Sequence, residues 1–217
     1  MTVEHLPRPA RQRGATLMIA LVMLAVILLL GTASASLLVL DEHAARSHRA
    51  HAQALLAAQA ALDDACEEIR RGARVLPAAF PRDIGCHADA EGRILCLGEA
   101  EHAAWKPAQL SGAAPGAAGY GEWTGRRAPA LEGGPPAPRY LIELLAASKA
   151  KTTETTKAAD GDAEAGRLYR ISALGFGAGG AQAALQSIVR QRADAAGRMQ
   201  CHTLGWRALS LNREEPR

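Results

Sequence analysis

Three groups of residues have types and spacings that suggest chemistry. Gly175-Phe-Gly-Ala-Gly-Gly180 satisfies G-x-G-x-x-G, and Asp194 follows where a ribose-binding acid stands in dinucleotide sites. Such a site needs a strand–helix–strand unit around its glycines. Too little chain follows Gly180 to build a doubly wound sheet, so the glycines read as a hairpin turn. His43, His48 and His51 cluster beside Asp41 and Glu42. None forms the i, i+4 pair of an H-E-x-x-H zinc site. His48 and His51, at i, i+3, can touch one ion, but a solvated or headgroup-facing helix surface explains them better. Cys66, Cys86, Cys96 and Cys201 contain no C-x₂₋₄-C pair and no placed histidine, which disfavours both a zinc site and a nucleophilic thiol. Ser111 and Ser210 have no recognisable context, and no carboxylate pair stands out. The sequence therefore assigns no catalytic, cofactor-binding or metal-ligating residue, and a non-enzyme is expected.

The cysteines do suggest bridges. Cys86 and Cys96 are disulfide candidates, because they can close a loop of about ten residues in a region with little core of its own, contributing on the order of 2–3 kcal/mol. Cys66 is either a buried thiol or a partner for Cys201. Four cysteines allow three connectivities, and the sequence does not choose among them. Bridges also require export from the cytoplasm.

The elements that would position these residues follow from one stretch. Gly14 to Leu40 carries no charge. A hydrocarbon core needs roughly 20 apolar residues, so the expectation is a membrane-spanning helix. Before it, Arg8, Arg11 and Arg13 stand against a single acid, Glu4. Basic flanks stay cytoplasmic, which predicts N-terminus in and domain out. An ordinary signal peptide has a shorter apolar region, with its cleavage site after that region. Here Gly14 precedes the run, so cleavage there would remove residues 1–14 and keep the helix as an anchor. A plain uncleaved anchor is the alternative.

The helix should not stop at the membrane. No proline occurs between Ala10 and Leu76, and no glycine between Gly31 and Gly72. Leu55, Ala58, Leu62, Ala65 and Ile69 form one apolar stripe, with Asp64, Glu67 and Arg71 largely off it. Gly72 after Arg70 and Arg71 supplies the stop. Beyond it, residues 73–138 are rich in proline and glycine, with a short strand at Arg93–Leu97. Tyr140–Leu145 alternates with period two, Leu168–Leu174 is a second clear strand, and Ala183–Val189 is a third whose composition also tolerates helix. Ser148–Gly166 has no large apolar residue and reads as a solvated loop. An antiparallel sheet over the amphipathic half of one helix is the simplest architecture.

Net charge is only +3 and aromatic residues make up 4%, which argues against nucleic acid binding.

These parts, in this order, resemble the type IV pilus assembly protein PilX family of minor pilins. The resemblance rests on Arg11-Gln-Arg-Gly-Ala-Thr-Leu17, Ala57-Ala-Gln-Ala-Ala-Leu-Asp-Asp64, Gly92-Arg-Ile-Leu-Cys96 with Trp105 and Trp123 beyond, Pro138-Arg-Tyr-Leu-Ile-Glu143, Leu168–Gly175 and Leu185–Val189. It implies cleavage after Gly14 by prepilin peptidase, methylation of the new amine on Ala15, and assembly with other minor pilins and the major pilin, with a tip adhesin as a further partner. The expected fold is α+β and pilin-like, one long N-terminal helix with a transmembrane N-half packed on a small antiparallel sheet. The expected layout is a leader over 1–14, a transmembrane helix over 15–40, its amphipathic continuation over 41–72 and a periplasmic globular domain over 73–217. The expected location is the inner membrane, then the filament on the cell surface. One departure stands out. Most pilins carry Glu five residues after the cleaved bond, and here that position is Ile19, which suits a scarce subunit. The competing readings are a membrane-anchored periplasmic domain that binds ligand near Trp105 and Trp123, a type II secretion pseudopilin, and a tethered enzyme using the glycine loop.

Overall fold

The computed structural model describes residues 15–72, 74–90, 92–111, 116–127, 134–146 and 166–210, leaving aside the side chains of 15 and 33–39. The 1–14 leader with Gly14, and nearly all of the 148–166 loop, lie outside these. Helix α1 runs from Ala15 to Arg71. Its alanine-rich sequence lacks any internal proline. It stops where Gly72 takes a positive φ and its N–H bonds back to Glu68 O at 3.0 Å. The chain divides into two units, Met1–Ser47 and His48–Arg217.

In the first unit, α1 exposes a strongly apolar surface: Leu17, Met18, Ile19 and Leu21 through Leu24 are all exposed, as are Val26 through Leu30. Among the described residues no helix is long and apolar enough to cross a membrane. This corrects the expected transmembrane half. The strongly apolar run ends at Leu30. Thr32 bonds back to Leu29 O, and Thr-Ala-Ser-Ala-Ser follows at 32–36, diluting the run below what a hydrocarbon core requires.

The second unit pairs the rest of α1 with one seven-stranded sheet: β1 (Gly85–Ala88), β2 (Ile94–Gly98), β3 (Ala118–Gly119), β4 (Arg139–Leu145), β5 (Arg167–Phe176), β6 (Gln182–Ala193) and β7 (Met199–Leu209). A short helix, α2, spans Pro107–Ser111. The order is β1-β2-β4-β5-β6-β7, with β3 added to β4. The sheet is mixed, which corrects the antiparallel expectation: β2 lies parallel to β4, Leu95 opposite Ile142 and Leu97 opposite Leu144. A parallel pair needs a long crossover, and the stretch between β2 and β4, holding α2 and β3, provides it.

That crossover also covers the face of the sheet away from α1. Leu110 of α2 packs there with Ile94, Cys96, Leu141, Leu174 and Ala184, and Trp105 packs against the group. On the α1 face, Ala61, Ala65 and Ile69 pack with Tyr140, Ile142, Tyr169, Ile171 and Val189. Central strands covered on both faces bury successive residues instead of alternate ones. This is why β4 and β5 carry Leu141 and Leu174 opposite in direction to Tyr140 and Ala173, all of them buried.

Candidate functional site

The part of the molecule where polar chemistry is concentrated is the seam between α1 and the sheet in the second unit. Ala54, Ala58, Ala61, Ala65 and Ile69 form the buried line. Small side chains bring the helix axis close to the strands. The approach is closest at the glycine motif, where a Cβ on Gly175 would sit 2.1 Å from Ala54 O and one on Gly177 would sit 2.0 Å from Ala50 O. The G-x-G-x-x-G stretch is thus the turn between β5 and β6, and its first two glycines admit the helix backbone.

Along one flank of that line two carboxylates are buried. Asp64, which the sequence reading placed off the apolar stripe, is fully buried. It accepts the Gly121 N–H at 2.7 Å and the Thr124 hydroxyl, with Arg126 at 4.0 Å. Glu68 accepts the Tyr140 hydroxyl at 2.7 Å and Arg74 Nε at 2.8 Å. Buried carboxylates persist only when donors surround them; here the donors come from the 116–126 loop and from β4, so the acids fasten both to the helix. Burial, followed by the charge of Glu68, pushes the Tyr140 phenol well above its ordinary range. One helical step outward, Glu67 is held at about 2, first by its hydrogen bond to Arg70 and then by Arg71.

On the opposite face Arg170 and Glu143 form a buried pair at 2.9 Å. Arg170 also donates to His102 O at 2.9 Å and Glu99 O at 2.6 Å, while Glu143 accepts the Ala104 N–H at 2.7 Å. Burial pushes the Glu143 carboxyl up, against the pull of the Ala104 N–H and of Arg170. The pair pins the 99–104 segment onto the sheet.

Two disulfides complete the frame. Cys66 of α1 is joined to Cys201 of β7, and Cys86 to Cys96, which face each other in the β1–β2 register. His43, His48 and His51 lie exposed on α1, and no cluster fit to hold a metal occurs among the described residues. Trp105 and Trp123 are half-buried, and Trp123 stacks under Arg74 at 5.0 Å. The exposed indole is Trp206, on a strand the sequence reading did not assign.

The sequence missed Asp64, Glu68, Tyr140 and Thr124 as one network. The sequence showed only that Asp64 falls largely off the apolar stripe. Asp64, Glu68 and Glu143 are each taken up by donors.

No curated protein and no solved structure matches the chain. A family model described as PilX N-terminal matches residues 13–63, and one described as Type IV pilus assembly protein PilX C-term matches residues 75–191. The second alone covers more than half of the chain, from just after α1 to near the end of β6. The chain therefore belongs to the type IV pilus assembly protein PilX family, whose members work in the cell envelope and at its surface.

Proposed function

We propose that this chain is a minor pilin that primes or caps the type IV filament. Prepilin peptidase would cleave after Gly14 and the new amine on Ala15 would be methylated. The apolar surface of α1 would then pack among the helices of other minor pilins and the major pilin, with the head outside the cytoplasm. The observation that carries the reading is Ile19. It lies on the exposed apolar surface of α1 at 59% relative exposure, and no acid stands in the first turn of the helix. A buried terminal amine needs a compensating charge, and an unpaired buried charge costs several kcal/mol. Repeated along a fibre, that cost forbids a major subunit; at an end or at isolated positions it is incurred once.

The test is quantitative mass spectrometry of sheared filaments. The chain should be scarce there and should begin at methylated Ala15, and its deletion should reduce filament number more than length. Abundance comparable to the main subunit would overturn the reading. An N-terminus that still includes residues 1–14 would overturn the processing site, and Gly14→Glu should block that processing. In the exported protein Cys86 and Cys96 should map as one bridged pair under non-reducing conditions, and a free Cys86 would contradict this.

A further inference from the structure

The two edges of the sheet are unlike. At one end, β1 is four residues long and is tied to β2 by Cys86–Cys96. At the other, β7 is eleven residues long, and its residues 202–208 are all exposed. Natural edges are blunted by shortness, proline, inward charges or a covering element. β7 contains no proline, and among the described residues nothing pairs with its outer side. It carries two large exposed apolar residues, Leu204 and Trp206. An irregularity opposite Ile188 and Val189 accommodates Leu204 and leaves a regular run, Gly205–Leu209, beyond it. The strand is also held firmly: β6 pairs with it along its length, and Cys201 ties it to α1.

Charge selects the occupant. The β6–β7 hairpin carries Arg190, Arg192, Arg198 and Arg207 with one acid, Asp194, which is engaged by Arg198 at 3.0 Å. Beside β7 opens a pocket of about 480 Å³ whose lining includes Arg170, already paired with Glu143, the acid Glu101 on its far side, and Gln186, Ile188, Trp206 and Arg207, so that Arg207 is the cation left for an incoming carboxylate. Gln186 Oε1 accepts Arg207 Nε at 2.9 Å, and the two terminal nitrogens of Arg207 have no partner among the described residues. A second copy of this chain would set a basic hairpin against a basic hairpin, and like charges across paired strands are unfavourable.

We infer that the β7 edge receives an extended, acidic segment of a different protein as an added strand, with a carboxylate of that segment on Arg207. Main-chain hydrogen bonds would supply affinity, and the pocket would supply side-chain specificity.

The probe is a peptide of about nine residues alternating Val and Glu with Thr ends, the length of a typical added strand. It is compared with its Lys-for-Glu counterpart and with a version N-methylated along the backbone. Added to the full-length chain, the acidic peptide should slow amide exchange in 199–209, and neither control should do so. Arg207→Glu should weaken the acidic peptide at least about ten-fold while leaving the thermal midpoint unchanged. Three results would overturn the inference: equal binding of the Glu and Lys peptides, unchanged affinity in Arg207→Glu, or protection of the outward amides of β7 before any peptide is added, which would mean that the chain or a second copy already closes the edge. None of these results depends on how abundant the chain is in filaments.

Discussion

The two stretches of α1 present opposite surfaces from one continuous helix. Residues 17–30 are rich in Leu, Ile, Val and Met, and they are exposed; residues 54–69 are rich in alanine and acids, and one line of them is fully buried. Hydrophobicity alone would rank them the other way. Burial within the chain went to the stretch whose small side chains let the sheet approach and whose acids could be met by donors. The strongly apolar stretch has no counterpart among the described residues of its own unit, and an apolar surface of that extent marks contact with other molecules. Packing within the chain thus falls to one stretch of the helix and not the other, and the contrast can be broken by substitution.

The two largest effects are expected where the helix meets the sheet, the first of them at their backbones. Gly175→Val puts a branched side chain where even a Cβ lies 2.1 Å from Ala54 O. It should cost about 3 kcal/mol or more, read as a lowered thermal midpoint, because packed backbone has no room to yield. A stability close to the parent's would show that the helix does not lie tight on the sheet.

Next comes the covalent tie. Cys66→Ser removes a bridge that spans 135 residues of sequence, and a loop of that size is worth about 4–5 kcal/mol in the chain-entropy account. Denaturant unfolding of the oxidised variant should show a loss approaching this, shared by Cys201→Ser and not added to by the double substitution.

A smaller loss is expected at the buried acid. Asp64→Leu strands the Gly121 N–H and the Thr124 hydroxyl, and leaving buried donors unmade costs about 1–3 kcal/mol. The 116–126 loop should then become open to proteolysis while the exposed apolar stretch behaves as before.

Glu67 gives a milder change and a pH signature. Its carboxyl falls from 4.5 to about 2 through Arg70 and then Arg71. A depressed folded-state value means that its contribution is present above about 4.5 and is lost as pH falls toward about 2. Both arginine partners are exposed to solvent, which screens the pairs, so the effect is small. Glu67→Gln should flatten the acid limb of the stability curve in that window by slightly lowering stability above about 4.5 while leaving it unchanged near 2. At the far end of the comparison, Ile27→Ala should shift the midpoint by less than about 0.5 kcal/mol, as at a surface position, yet lower the amount of chain recovered in filaments. Unchanged recovery would mean that this surface is not an assembly surface.

The sequence by itself determined what local chemistry controls. An alanine-rich stretch free of proline specifies a helix, and Gly72 after two arginines ends it, because propensity and capping act within a turn or two. The alternation in Tyr140–Leu145 and the β-formers of Leu168–Leu174 announce strands for the same reason, and the ordered motifs from Arg11 to Val189 point to the family. Only the tertiary structure decided the rest. Whether β2 runs parallel or antiparallel to β4 depends on the path of the crossover between them, which has no periodicity to read. β7 was illegible because one of its sides faces solvent and its pattern, Cys-His-Thr-Leu-Gly-Trp, carries no regular alternation. Asp64 read only as lying largely off the apolar stripe, because the donors that bury it, Gly121 and Thr124, lie about sixty residues away. No local pattern can tell a carboxylate facing water from one whose hydrogen bonds arrive from a distant loop, since the cost of burying it is met only when that loop folds back onto the helix.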